Sequence, residues 1–264
     1  MNRDISVTGM VLSSMPIGDY DRRIVILTRE RGKIAAFARG ARRPSSMLLK
    51  AINPFSFGTF QLYEGKDSYN LRSAEIKEYF SEFRTDLTGA CYGMYFLDVA
   101  GFISREGMRG DDTLLLLYMT LKALSIKDIP NALVRAVYEI RTIYGEGEGP
   151  RVSSCVICGK TEELKFISGH AGGALCADCR QKVSDAFPIS YAALYALWHI
   201  THAPIKDLYT FTVKDRVLRE LQRFSKRYMD IHLGRDFKSL EVLKTMIGEE
   251  IGRASCRERV SSPV

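Results

Sequence analysis

The chain is 264 residues long, with 46% apolar and 26% charged residues and a formal net charge of +7. The length suits two domains, on a guide of roughly 100–200 residues each, and the composition excludes a disordered or collagen-like chain. The positive excess favours polyanionic partners but says nothing of fold.

Residues 1–14 read MNRDISVTGMVLSS, with Asp4 where an apolar run should build, so no secretory signal is expected. The longest uncharged stretch, 186–205, is interrupted by Pro188, Ser190, His199, Thr201, His202 and Pro204. It reads as a buried helix with flanking turns, not a membrane span. A cytoplasmic protein without membrane contact is expected, its cysteines serving as thiols or metal ligands.

Residues 1–77 alternate in the manner of strands, predicted at 5–14, 22–29, 33–39, 54–63 and 69–76. Turn residues separate them: Pro16 to Asp19, Arg31-Gly32, Gly40 to Pro44, and Glu64 to Asp67. Five short strands predict a small barrel, for which an OB-fold and an SH3-like barrel fit about equally. After Ile76 the spacing changes to threes and fours. Phe80, Phe83, Leu87, Tyr95, Val99 and Phe102 open a helical region, followed by helices at 114–126 and 132–144. Asp111 and Asn131 are read as N-caps, and Gly145, Gly147 and Pro150 as stops. Helices resume at 191–202, 214–233 and 239–247.

The expected architecture is an α+β multidomain chain. A β-barrel occupies 1–78, and an all-α helical domain occupies 79–250, with a cysteine module inserted at 151–180. Residues 251–264, IGRASCRERVSSPV, carry no period and are expected to be a non-native or disordered tail, which leaves Cys256 without a role.

Cys155-Val156-Ile157-Cys158 and Cys176-Ala177-Asp178-Cys179 are two CxxC pairs with 17 residues between them. Each pair brings two thiolates to one ion through a tight turn, and Gly159 suits the first such turn. Four thiolates close a tetrahedral site, so one structural zinc ion is expected at Cys155, Cys158, Cys176 and Cys179, the alternatives being a redox dithiol or an iron–sulfur cluster, whose usual spacings differ. His170 lies between the pairs and reads as a solvated loop residue. Cys91, beside Tyr92, Tyr95 and Phe96, reads as an inert core thiol.

From Arg22 to Lys50 stand nine basic residues, namely Arg22, Arg23, Arg29, Arg31, Lys33, Arg39, Arg42, Arg43 and Lys50, against the single acid Glu30. By subtraction the rest of the chain is near neutral, so the charge is focused, as a phosphate-tracking surface needs. On the strand at 33–39, Lys33, Ala35, Phe37 and Arg39 share one face, and Ile34, Ala36 and Ala38 the other. Cations flanking a ring suit single-stranded nucleic acid; Phe37 is either a stacking ring or a core residue. The helix at 214–233 carries Lys214, Arg216, Arg219, Arg223, Lys226 and Arg227 interleaved with Asp215, Glu220 and Asp230. It reads as a solvated face, or alternatively as the rim of a groove for an acidic peptide.

No P-loop, no dinucleotide-binding glycine motif, no G-x-S-x-G elbow and no H-E-x-x-H occurs in the sequence. His199 and His202 read as ordinary core or surface histidines. Nothing argues for an enzyme.

The order of parts, GKIAAFARGARRPSS, NPFSFGTFQLY, helices, CxxC…GGALCADC and IHLGRDFKSLEVL, resembles the RecO family of DNA repair proteins over residues 1 to about 247. The resemblance implies an N-terminal OB-fold, a helical domain and a zinc module. It implies a recombination mediator without ATPase activity that binds single- and double-stranded DNA and anneals complementary strands. It further implies work with RecR and sometimes RecF, contact with the acidic tail of single-stranded DNA-binding protein, and RecA loading. The cytoplasmic setting is then nucleoid-associated. The family's basic barrel surface maps onto Lys33, Arg39, Arg42 and Arg43. The competing reading is a zinc-stabilised scaffold whose barrel binds an acidic protein or structured RNA.

Overall fold

The computed structural model describes residues 3–66 and 68–248; the expected tail at 251–264, with Cys256, lies outside them. Strands β1 (Asp4–Ile17), β2 (Asp21–Thr28), β3 (Gly32–Ala38), β4 (Phe57–Glu64) and β5 (Tyr69–Glu78) close a barrel in the order β1-β2-β3-β5-β4. All pairings are antiparallel except β3 with β5, which runs parallel through Ala36↔Tyr69 and Phe37↔Asn70. This closed five-stranded order is the OB-fold and decides against the SH3-like alternative.

The alternation that marks the strands also fills the barrel. Val7, Val11, Ile24, Ile26, Ile34, Ala36, Ala38, Phe60 and Leu62 point inward and are buried together. β1 is buried on both faces. Its Met10 and Leu12, with Leu27 of β2, join the core of the helical part. Fourteen residues in one strand make this double duty possible, and an irregularity between Val11 and Ser13 bends the strand.

Six helices follow: α1 (Leu87–Ile103), α2 (Asp111–Leu124), α3 (Asn131–Gly145), α4 (Tyr191–His202), α5 (Asp215–His232) and α6 (Lys238–Ile247). Phe80 and Phe83 flank and enter a single 3-10 turn ahead of α1. The expected caps shift by one residue. Asp111 is the first residue of α2, with Gly110 at the cap, and Asn131 is the first of α3, with Pro130 at the cap. The side chains that do cap are Asp86, which accepts the Gly89 N–H at 2.9 Å, and Ser190, which accepts the Ala193 N–H at 3.3 Å.

Between α3 and α4 lies a small antiparallel sheet that the apolar spacing does not announce. It consists of β6 (Leu164–Ser168), β7 (Gly173–Cys176) and β8 (Phe187–Pro188), in the order β7-β6-β8. Asp185 ties it together, accepting hydrogen bonds from the Ser168 hydroxyl and from the backbone N–H groups of Gly169 and His170. Arg223 and Arg227 of α5 lie over the Phe187 ring at 4.3 and 5.2 Å and so fasten the sheet to the helices.

The barrel meets the helices at its β2–β3 turn. Gly32 has φ of 64°, and a Cβ there would stand 2.1 Å from the Arg105 carbonyl oxygen and 2.4 Å from that of Met108. Only glycine admits both the left-handed backbone and this approach. The Lys33 backbone N–H donates to Arg105 O at 3.3 Å, and that of Gly110 to Arg29 O at 3.0 Å. Between α1, α3 and α5, Glu139 is buried with Arg135, Tyr95 and Ser225 around its carboxylate. Among the described residues, no helix is long and apolar enough to cross a membrane.

Candidate nucleic-acid interface and metal centre

The nine cations of the basic stretch separate into two groups. β2 places Arg22 and Arg23 at its start and Arg29 just past its end, a span of about 23 Å at 3.3 Å per residue. β3 returns, so Arg39 lies near Arg22 and Arg23, while Arg31 and Lys33 lie near Arg29.

At the first end, residues 39–50 form a loop clipped to the β1–β2 turn. The Arg42 N–H donates to Tyr20 O at 2.8 Å, an Arg42 guanidinium N–H to Gly18 O at 3.1 Å, and the Gly40 N–H to Asp21 Oδ1 at 2.7 Å. The Arg43 guanidinium lies over the Tyr20 ring, 5.3 Å from its centre. Arg23, Arg39, Arg42, Arg43 and Lys50 are exposed, whereas Arg22 is half-buried with Nη2 donating to Ser14 O at 3.1 Å. Tyr20 is 54% exposed and Met47 95%. Both were missed on the sequence alone, although Tyr20 stands two residues before Arg22-Arg23 in a turn.

At the second end the cations have partners within the chain. Arg29 pairs with Glu30 at 3.1 Å. Arg31 reaches Glu64 at 3.2 Å and the Tyr69 hydroxyl at 3.3 Å, and the tyrosine contact, followed by the carboxylate, raises its pKa. The Lys33 ammonium donates to the Gly101 carbonyl oxygen of α1. The outer face predicted for β3 is present: Lys33, Ala35 and Phe37 are half-buried while Ile34, Ala36 and Ala38 are buried. Phe37 stays out of the barrel core and lines an outer groove with its cross-strand neighbour Arg23 and with Tyr69.

The cysteines converge. Cys155 and Cys158 flank a tight turn in which the Gly159 N–H donates to Cys155 O at 2.9 Å, with Gly159 at φ of 78°. β7 delivers Cys176, and a 3-10 turn begins after Cys179. The four sulfurs lie within 4.8 Å of one another, and those of Cys158 and Cys176 are 3.7 Å apart. Around them pack Leu175, Val156, Leu164 and Phe166, the small core of the module. Burial opposes a charged Cys155, yet backbone N–H groups of Cys158, Cys176 and Ile157 outweigh it and bring the thiol down to about 6. Burial and the neighbouring sulfurs push Cys179 up to about 12. Four thiolates this close need a cation between them, and the cluster can hold a metal ion. His170 is exposed and outside the cluster, as expected of a loop residue. Cys91 is half-buried against the helical core.

On α5, Arg216 pairs with Glu220, and Arg223 and Arg227 cover Phe187, so several of its cations serve packing as well as solvent.

An OB barrel with an exposed basic loop, joined to a helical bundle that carries a four-cysteine cluster, defines a class of two-part OB-fold protein. The family model described as Recombination protein O N terminal matches residues 1–80, and Recombination protein O C terminal matches residues 84–241. The chain belongs to the RecO family of DNA repair proteins. It is 33% identical over 243 residues to DNA repair protein RecO of Acetivibrio thermocellus, covering 92% of this chain and 97% of that one. It is 30% identical over 242 residues to DNA repair protein RecO of Alkaliphilus metalliredigens, covering 91% and 98%.

Proposed function

We propose that this chain is a non-enzymatic recombination mediator. It binds single- and double-stranded DNA through the loop end of the barrel, anneals complementary strands, and with RecR helps load RecA onto strands coated by single-stranded DNA-binding protein. The observation that carries the reading is the exposed group Arg23, Arg39, Arg42, Arg43 and Lys50, of which Arg42 and Arg43 are seated on the β1–β2 turn and none has an ion pair among the described residues. Cations so placed screen phosphate repulsion while two strands approach, and base pairing supplies the specificity. Tyr20 and Phe37 offer faces for unpaired bases. The helical part recruits partners: RecR, the acidic tail of single-stranded DNA-binding protein, and RecF.

Zinc is the metal this reading assigns to Cys155, Cys158, Cys176 and Cys179. Sulfurs bound tetrahedrally at about 2.3 Å stand about 3.8 Å apart, close to the 3.7 Å between Cys158 and Cys176. When bound, the ion cross-links a segment with little core of its own. Purified protein is expected to hold one zinc per chain, and chelation to loosen 151–180 first in hydrogen exchange. Unchanged protection there would remove the site.

The central test is the salt dependence of single-strand binding. Each phosphate contact adds a slope of about −0.7 in log–log form, so replacing Arg39, Arg42 and Arg43 by Ala flattens it by about two units. The same variant is expected to lose nucleotide-independent annealing of coated strands. An unchanged slope sinks the assignment of this surface and favours a barrel that binds an acidic protein.

A further inference from the structure

α4 presents a row of rings to solvent. Tyr191, Tyr195 and Trp198 recur at helical spacing on one face and are 81%, 59% and 42% exposed. Tyr195 stacks on Trp198 with ring centres 5.9 Å apart, and Trp198 on His202 at 5.0 Å. The row forms one wall of a groove of about 520 Å³, whose opposite wall is the cysteine module with Leu164, Glu162 and Glu163. An exposed aromatic wall of this kind marks an interaction site.

The charge of the groove selects its occupant. Its lining contains two carboxylates and no cation. Glu163 pairs with Lys160 at 3.2 Å, while Glu162 has no ion pair among the described residues. Stacked rings alone would also suit unpaired bases, but phosphates entering here would face Glu162 and Glu163. Arginines satisfy both walls, because a guanidinium stacks on the face of Trp or Tyr and pairs with a carboxylate.

We propose that the groove between α4 and the cysteine module docks an arginine-bearing, amphipathic segment of a protein partner. The site differs in charge from the proposed DNA surface and rests on different elements: α4 packs on α3 and α5, whereas the barrel meets α1 and α2.

Trp198 is the only tryptophan in the chain, so its emission reports on this groove in the full-length protein. The probe is a short helical peptide with arginines on one face and leucines on the other. A glutamate-for-arginine version and an oligothymidylate serve as controls. The arginine peptide is expected to shift Trp198 emission to the blue and saturate. Glu162→Gln with Glu163→Gln weakens it about fivefold, as two partly solvated ion pairs imply. Tyr195→Ala weakens it by about tenfold, with metal content unchanged. A glutamate peptide that shifts the emission equally overturns the proposal, as does unaltered affinity in the double glutamine variant. A shift with oligothymidylate alone overturns it in favour of a nucleic-acid groove.

Discussion

The two ends of the barrel carry similar positive charge and use it differently. At the β1–β2 end, Arg39, Arg42, Arg43 and Lys50 are exposed, and the hydrogen bonds that fix their loop come mostly from backbone groups. At the β2–β3 end, Arg29, Arg31 and Lys33 meet Glu30, Glu64, Tyr69 and the Gly101 carbonyl. The first arrangement keeps its cations in solvent; the second engages them within the chain, Arg29 and Arg31 inside the barrel and Lys33 on α1. Charge density along a sequence therefore does not distinguish a ligand surface from a seam. The partner of each cation does.

The largest effect expected is at the seam. Gly32→Ala places a Cβ against two carbonyl oxygens in a left-handed backbone, and a loss of about 3 kcal/mol or more in chemical denaturation is expected. A variant of near wild-type stability would show that the seam yields easily. Next comes the loop end. The triple Ala variant of Arg39, Arg42 and Arg43 loses about a hundredfold in single-strand affinity at 0.1 M salt, from three contacts at slope −0.7. Its stability changes by less than about 1 kcal/mol. Lys33→Met inverts that pattern. It removes a charged donor from Gly101 O and costs about 1–2 kcal/mol of stability, with DNA affinity expected to stay within about twofold. A large affinity loss with unchanged stability would move Lys33 into the DNA surface.

The smallest effect concerns Glu78, at the end of β5, which accepts from Lys122 of α2. The hydrogen bond from Lys122 holds the Glu78 carboxyl below its ordinary value of 4.5, with burial opposing. A carboxyl depressed in the folded state stabilises above its unfolded pKa, and the contribution vanishes as pH falls through the folded value. Glu78→Gln is therefore expected to cost about 0.5 kcal/mol at pH 7, the pair being partly exposed. In acid, below both values, wild type and variant should unfold alike. A difference that persists there would mean the glutamine disturbs packing.

Much of this could be read in advance for a physical reason. Each of β1 to β5 turns one face into the barrel core, and alternation is strong wherever the other face is left open, so the strands fall within a few residues of their predicted places. The two CxxC pairs also converge as their spacing implies. The sheet of β6, β7 and β8 was illegible because its strands run 5, 4 and 2 residues, too short to show a period. Asp111 misled as a cap because Gly110 is positioned by a tertiary bond to Arg29 O, which local sequence does not display. Likewise alternation put Lys33 and Phe37 on an outer face correctly, but not what covers it. α1 covers Lys33, and an open groove adjoins Phe37.

The doubly buried strand β1 has a consequence for where the chain can be cut. Sequence families divide the protein near residues 80–84, yet Met10, Leu12 and Leu27 from before that point are buried among residues after it. A barrel excised at the family boundary would expose these side chains, at about 25 cal/mol per Å² of apolar surface returned to water. The unit that a family boundary marks and the unit expected to melt cooperatively are then different lengths of the same polypeptide.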